Sequence, residues 1–338
     1  MERYIAVDNY CAWPNLTLMP TGDIAALIFN QPSHGRWEGE VECWASTDGG
    51  KLWLYRGTPA PHEPGTTRLN VAGGLAHNGD LIAIVSGQAP KAPLGQPLPP
   101  GPVVVLPPKV CRSSDGGRTW ERVESFATPG NVDGAIPFGD IVRSADGGLA
   151  VSSYSFIKGR RDSSAYFSRS YDDGRTWQLP VTIGDDDYNE TDLLYLADGR
   201  WLAAARTATD AHLELFVSDD NGQRWNPQTA LTLPWQHPGH LCQLADGRIL
   251  LVYGIRNHGL YGVGARLSAN NGKTWSNPIV LVRLKGATDG GYPSSVQLAD
   301  GTIVTAYYAS GITTHMRYHM GVVRWSASTY DQSAHVSR

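Results

Sequence analysis

Cysteine is scarce: the 338 residues include four, at Cys11, Cys43, Cys111 and Cys242. None is paired at a metal-ligand spacing, which excludes a zinc ribbon and a disulfide-dense scaffold. Buried free thiols are expected, with a single disulfide left open. Positive charge is not in excess either, since 28 Lys and Arg stand against 32 Asp and Glu, a net −4. That balance leaves no electrostatic footprint for nucleic acid. No apolar run approaches the length of a membrane span. The opening Met1-Glu2-Arg3-Tyr4 does not begin a secretion signal, so the compartment is left open between cytoplasmic and exported after trimming. The histidines fit no short metal motif, and neither a metal nor a cofactor is expected.

Turn formers and repeats are abundant instead. The chain holds 38 Gly and 22 Pro. One octet, Ser-x-Asp-x-Gly-x-x-Trp, recurs five times: Ser46–Trp53, Ser113–Trp120, Ser170–Trp177, Ser218–Trp225 and Ser268–Trp275, the last with Asn270 in the Asp place. Its starts are 67, 57, 48 and 50 residues apart, a period that indicates a propeller or another array of sheet units. The Asp can accept bonds from the loop's own backbone, the Gly supplies positive φ, and the Trp gives each unit an apolar plug.

A second repeat is interleaved with the first. Its members are Pro20-Thr21-Gly22-Asp23, His77-Asn78-Gly79-Asp80, Ala145-Asp146-Gly147-Gly148, Ala197-Asp198-Gly199-Arg200, Ala245-Asp246-Gly247-Arg248 and Ala299-Asp300-Gly301-Thr302. Each reads as a two-residue hairpin between short apolar runs. Six hairpins and five octets predict an all-β, six-bladed β-propeller filling residues 1–338 as one domain. The sixth blade lacks an octet and closes either with Gly321–Ser326 or with a strand from Tyr4–Val7. The Pro-rich insertion Ala89–Pro108 explains the long second period and is a candidate wall for a pocket.

In such an array the inner strands begin, and the second strands end, on one face around the axis, where loops carry function. The residues there resemble the sialidase superfamily over nearly the whole chain. The octets are similar to that family's Asp boxes. Asn189-Glu190-Thr191-Asp192-Leu193 resembles the segment in which a Glu opens the fourth blade, and Gly291-Tyr292-Pro293-Ser294 the segment with the catalytic Tyr. Both residues stand nine positions before their hairpin Gly. Arg206 and Arg256 match the second and third substrate-binding arginines.

The resemblance implies an exo-acting glycoside hydrolase for a small-molecule or glycan substrate. It would release sialic acid or a related 2-keto sugar acid with retention. A carboxylate on the anomeric carbon repels a carboxylate nucleophile, which a neutral Tyr292 avoids while Glu190 draws off its proton. Arginines suit the sugar carboxylate because the guanidinium fork binds it in bidentate fashion. One element departs from the family: Ala12, in Tyr10-Cys11-Ala12-Trp13-Pro14, stands where the first arginine belongs. Such a loss weakens anion binding by ~1.5–3 kcal/mol. Either another cation substitutes, with Arg36 on the first blade's top loop as the candidate, or the substrate differs from sialic acid.

The family's acid/base Asp is also missing from the first-blade loop, Phe29 to Glu42. Glu38, Glu40 and His34 are the candidates in its place, with Glu42 placed less well. Weaker rim candidates are His258 after Arg256, His237 and His240, His315 and His319, and Asp133 and Asp140 for sugar hydroxyls. Trp13, Trp37 and Trp235 are candidate stacking platforms. Tyr154, Lys158, Arg160, Arg161 and Asp162 read as a charged surface loop. Two other functions stay open: a glycosidase or lyase acting on uronic-acid or rhamnose-type termini through His34, and a glycan-binding propeller without catalysis. The oligomeric state is not legible.

Overall fold

The computed structural model describes residues 1–123, 126–156, 162–284, 289–311 and 317–331. Strands dominate, with a single short helix, α1 (Ser328–Asp331). After β1 (Glu2–Asp8), the strands form successive antiparallel meanders of four. The first is β2 (Asn15–Leu18), β3 (Ile24–Phe29), β4 (Gly39–Ser46) and β5 (Leu54–Gly57); the second is β6 (Thr67–Leu75), β7 (Leu81–Ala89), β8 (Val104–Ser113) and β9 (Glu121–Val123). Then come β10 (Ile136–Arg143), β11 (Leu149–Phe156), β12 (Ser163–Ser170) and β13 (Val181–Gly184), followed by β14 (Tyr188–Tyr195), β15 (Trp201–Thr207), β16 (Leu213–Ser218) and β17 (Asn226–Ala230). The rest are β18 (Gln236–Gln243), β19 (Ile249–Asn257), β20 (Leu260–Ser268) and β21 (Ile279–Leu284), then β22 (Gly290–Gln297), β23 (Ile303–Ser310) and β24 (Tyr318–Trp325).

Two-residue parallel pairings of β6 with β4 and with β10 merge the first twelve of these strands, β2 to β13, into one hydrogen-bonded sheet. The first strands of consecutive meanders contact one another in order, and β22 returns to β2, so they encircle an axis. Closure uses both segments that the sequence offered as alternatives. β24 is the third strand of the last sheet, and β1 pairs with it as the fourth, Tyr4 opposite Val322. The first strand of the chain is thereby hydrogen-bonded to the last, which covers the free edge of β24.

Local chemistry accounts for the repeats. In each octet the Ser hydroxyl accepts the Gly N–H four residues on, as Gly117 N to Ser113 Oγ at 2.8 Å, and donates to the Asp. The Asp carboxylate accepts the following loop N–H groups, as Arg118 and Thr119 to Asp115 Oδ1 at 3.0 Å. Asn270 does the same with its carbonyl oxygen, accepting Thr274 N at 2.8 Å. The Trp side chains then fill the joints between neighbouring sheets. Trp53, for example, packs with Ile24 and Ile28 of the first meander and Val304 and Val322 of the last.

The hairpins differ from expectation. Leu196 accepts the Gly199 N–H while its own N–H bonds Arg200, and the other five repeat this pair of bonds. The loop is therefore three residues long, with its Gly in the left-handed region (φ +88° at Gly199), the geometry of a type I turn closed by a glycine bulge.

Below the rim the inner strands are tied together by polar groups. Asp192, fully buried, accepts Asp140 N at 3.0 Å and Leu241 N at 2.7 Å, so one carboxylate joins β14 to β10 and β18. Asn15 donates to Asp140 Oδ1 at 2.8 Å, and His240 Nε2 lies 3.2 Å from Asp140 Oδ2. Asp140 is thus a structural group at the axis and is taken up there, not by a sugar hydroxyl. Burial disfavours a charged His240, but Asp140 and Asp192 outweigh it and hold the ring's pKa up at about 9.

Two measurements check this account. Ser113→Ala strands the buried Gly117 N–H, so denaturant titration should show a loss of about 1–3 kcal/mol. A raised His240 pKa contributes stability that is complete below its unfolded value near 6.5 and disappears as pH rises through about 9. Urea midpoints should fall across that window in the parent chain and flatten there in His240→Gln; an unchanged slope would refute the assignment.

Candidate active site

Every inner strand except β2 carries a bulge in its pairing with the next strand, and two of these bulges place the chemistry. In β14 the register with β15 slips between Tyr188 and Thr191, and in β22 the register with β23 slips between Gly291 and Ser294. Glu190 and Tyr292 sit in these slips. A bulge re-aims side chains, and here it delivers both to one point. Tyr292 itself has φ +48°, a strained value for a residue that precedes proline.

The Tyr292 hydroxyl donates to Glu190 Oε1 at 2.6 Å. Arg206, from the end of β15, donates to Glu190 Oε2 at 2.6 Å and lies 3.4 Å from the Tyr292 hydroxyl. The Arg256 guanidinium, from β19, stands 5.3 Å from the Tyr292 ring centroid and donates to Gly290 O at 3.3 Å. Burial, followed by the Glu190 charge, pushes the Tyr292 phenol well above its ordinary pKa, so it is neutral at physiological pH. The Nε atoms of Arg206 and Arg256 are buried with no partner among the described residues, and both guanidinium side chains lie on the wall of a cavity.

A cavity of about 630 Å³ is walled by the two arginines with His237, His258, Trp235 and Asp289, while Tyr292 lines a separate small pocket of about 30 Å³ with Trp13, Phe138 and His240. The volume of the first falls in the range of small-ligand sites. His237 is held neutral, its pKa lowered to about 2 by burial and then by the two arginines. Trp235, 59% exposed, is the largest apolar surface on this wall. A larger cavity of about 770 Å³ opens at the hairpin end of the same strands, lined by residues such as Leu18, Arg143 and Gln297, away from Tyr292.

The first-meander candidates divide. Trp13 packs against both Tyr292 and His34, with ring centroids 5.8 and 4.8 Å apart. Ala12 is fully buried with Cys11, Tyr292 and Tyr308, so no cation comes from that segment. Arg36 does not replace it: it is exposed and stacked on Trp37 at 5.4 Å. Glu38 and Glu40 are diverted to the seam between β4 and β6. Glu38 accepts Gly65 N at 2.6 Å, and Glu40 bonds His62 Nδ1, so neither is presented to the Tyr292 cluster. Glu42 accepts Tyr10, Trp44 and Asn30 side chains within its own sheet. Pairing of β4 with β6, invisible in a linear sequence, sets those directions.

Two residues were missed or misjudged. Tyr154 is no surface residue: burial, with Glu190 and Tyr292 nearby, raises its pKa well above the ordinary value. Asp289 went unnoticed although it lies just before an inner strand, where the positional rule directs attention. Lys158, Arg160, Arg161 and His315 lie outside the described residues. All four cysteines are free.

Residues 100–305, more than half the chain, match the model of the BNR repeat-like domain. The chain belongs to that family. A protein of unknown function from Dyadobacter fermentans has the same fold at 23% identity and a TM-score of 0.82, over 96% of this chain and 97% of that one. The intramolecular trans-sialidase from Ruminococcus gnavus, in complex with oseltamivir carboxylate, is similar at 15% identity and TM-score 0.71, over 96% and 97%. The Trypanosoma rangeli sialidase in complex with the inhibitor DANA gives 13% and 0.73, over 97% of this chain and 56% of that one. At these identities the likeness is one of fold. No curated protein matches the chain.

Arg206→Met tests the geometry independently of function. Removing one partner of a buried ion pair leaves Glu190 charged and unpaired, so the variant should lose about 3–5 kcal/mol in denaturant titration. Adding Glu190→Gln should recover most of that loss; a strictly additive double variant would show that the pair is not coupled.

Proposed function

We propose that this chain is a member of the sialidase superfamily and a retaining, exo-acting glycoside hydrolase that removes a terminal acidic sugar, sialic acid or a related 2-keto sugar acid. The ring order of the first strands supports reading the chain as one domain of six blades, with the site at the rim end of its axis. The observation that carries the function is the 2.6 Å bond from the neutral Tyr292 phenol to Glu190 beside two arginines that line a cavity. A phenol held by a carboxylate serves as a nucleophile only where its proton has somewhere to go, and Glu190 receives it as the sugar–oxygen bond forms. A carboxylate on the reacting carbon makes this arrangement preferable to two carboxylates.

In this scheme Arg256 and Arg206 take the substrate carboxylate, and Trp235 and His258 border the rest of the ligand in the cavity. The relatives described as sialidases and trans-sialidases agree with this class of substrate.

A second reading has its own observation. Asp289 brings a negative charge to the cavity wall and Ala12 supplies no third guanidinium, an arrangement that suits an uncharged rhamnose-type terminus processed through His34.

A panel of aryl glycosides of sialic acid, its deaminated analogue, uronic acids and rhamnose separates the two. The 2-keto acid glycoside should be turned over, and Tyr292→Phe should reduce that turnover by about 10³-fold or more. A fluorinated glycoside of the same sugar should label the Tyr292 peptide by mass. A fully active Tyr292→Phe with turnover of rhamnose glycosides alone would establish the second reading.

A further inference from the structure

If Tyr292 is the nucleophile, a proton must reach the leaving oxygen, and the expected donors Glu38 and Glu40 are committed to His62 and Gly65. We propose that His34, oriented by Asp289, is the general acid and base of the site, an assignment that rests on the glycosidase reading.

The imidazole Nδ1 lies 3.1 Å from Asp289 Oδ1 and 3.3 Å from the Tyr308 hydroxyl. Tyr308 and Tyr318 both donate to Asp289, so its carboxylate is fixed by two phenols before the ring arrives. An imidazole whose Nδ1–H is held by a carboxylate presents Nε2 for proton transfer in a defined direction. Asp289 also forms part of the cavity wall with Arg206 and Arg256, so the carboxylate that holds His34 borders that space.

The nucleophile and the imidazole share two neighbours. Trp13 touches both rings, and the Tyr308 ring lies 5.6 Å from Tyr292 and 6.2 Å from His34. The His34 side chain is 44% exposed, so Nε2 has access to a ligand. Its loop is held in place by Gly35, at φ +65°, where a Cβ would lie 2.5 Å from Leu69 Cδ1. Larger residues do not fit there, and the loop is therefore fixed close to the inner strands.

In the first step the Nε2 proton passes to the glycosidic oxygen as its bond to the sugar breaks. The Tyr292 oxygen bonds the anomeric carbon and gives its proton to Glu190. In the second, neutral Nε2 takes a proton from the attacking water, the Tyr292–sugar bond breaks, and Glu190 returns the phenolic proton. Both residues end as they began.

The test compares kcat/KM of the full chain on two glycosides of one acidic sugar, one with a sugar leaving group and one with 4-nitrophenol. His34→Ala should lose about 10²–10⁴-fold on the first, the range for a single proton-transfer group, and less than about tenfold on the second, which needs no acid. Asp289→Asn, a change to a positioning residue, should give the same split in weaker form. Azide, which attacks without a base, should restore turnover of the nitrophenyl glycoside by His34→Ala. Equal losses on both leaving groups, or none on either, would overturn the assignment. A wild type inactive on both glycosides would overturn the glycosidase reading itself.

Discussion

Everything distinctive about this rim depends on the hydrogen bond from Tyr292 to Glu190. The partners are 102 residues apart in sequence and come from separate sheets. Each is placed by a bulge in an inner strand, so their 2.6 Å separation records how accurately the ring of strands closes. Three devices maintain that closure. The chain start completes the last sheet, the octet tryptophans fill the joints between sheets, and Asp192 bonds the backbone of two neighbouring inner strands. Positioning of reacting groups fails at errors of about 1 Å, and loops alone seldom hold such tolerances. Here the groups lie on strands, and the strained backbone at Tyr292 is tolerated because the surrounding sheets determine it.

Burial acts in two opposite ways along the same axis. At the rim it keeps Tyr292 and His237 neutral, one by raising and the other by lowering a pKa, so neither adds to the charges of the arginines, Glu190 and Asp289. One layer down, Asp140 and Asp192 keep His240 charged despite complete burial. The two histidines of one strand, three positions apart, thus hold opposite states. What differs is only whether the neighbouring charges are guanidinium or carboxylate. The lower cluster serves architecture, and the upper one sets two guanidinium groups at the wall of a cavity.

The repeats were legible because their cause is local. An octet closes its own turn with its own Ser, Asp and Gly, and nothing distant is needed to read it. The offset of nine residues from hairpin Gly to Glu190 and Tyr292 was legible for a related reason, since equal offsets in equivalent strands end at equal heights. The type of hairpin was less so, because two- and three-residue loops share the Asp-Gly signature. Side-chain direction in the first-meander loop was not legible at all. Glu38 and Glu40 turn toward His62 through a parallel contact between strands that no periodicity reveals, and Asp289 meets His34 across 255 residues.

The exchange of an arginine for Ala12 changes the balance of the cavity as well as its contacts. The charge of Arg206 is largely answered by Glu190, and Arg256 shares the cavity wall with Asp289. With His237 neutral, little net positive field is left to draw an anion in. On the function proposed above, recognition of a carboxylate comes from directed N–H groups at short range, which act whatever the net charge and are little affected by salt. Such donors select by geometry: a sugar acid whose carboxylate cannot reach both forks while its anomeric carbon meets Tyr292 gains nothing from the field. Losing the first arginine thus turns a site governed by attraction into one governed by fit.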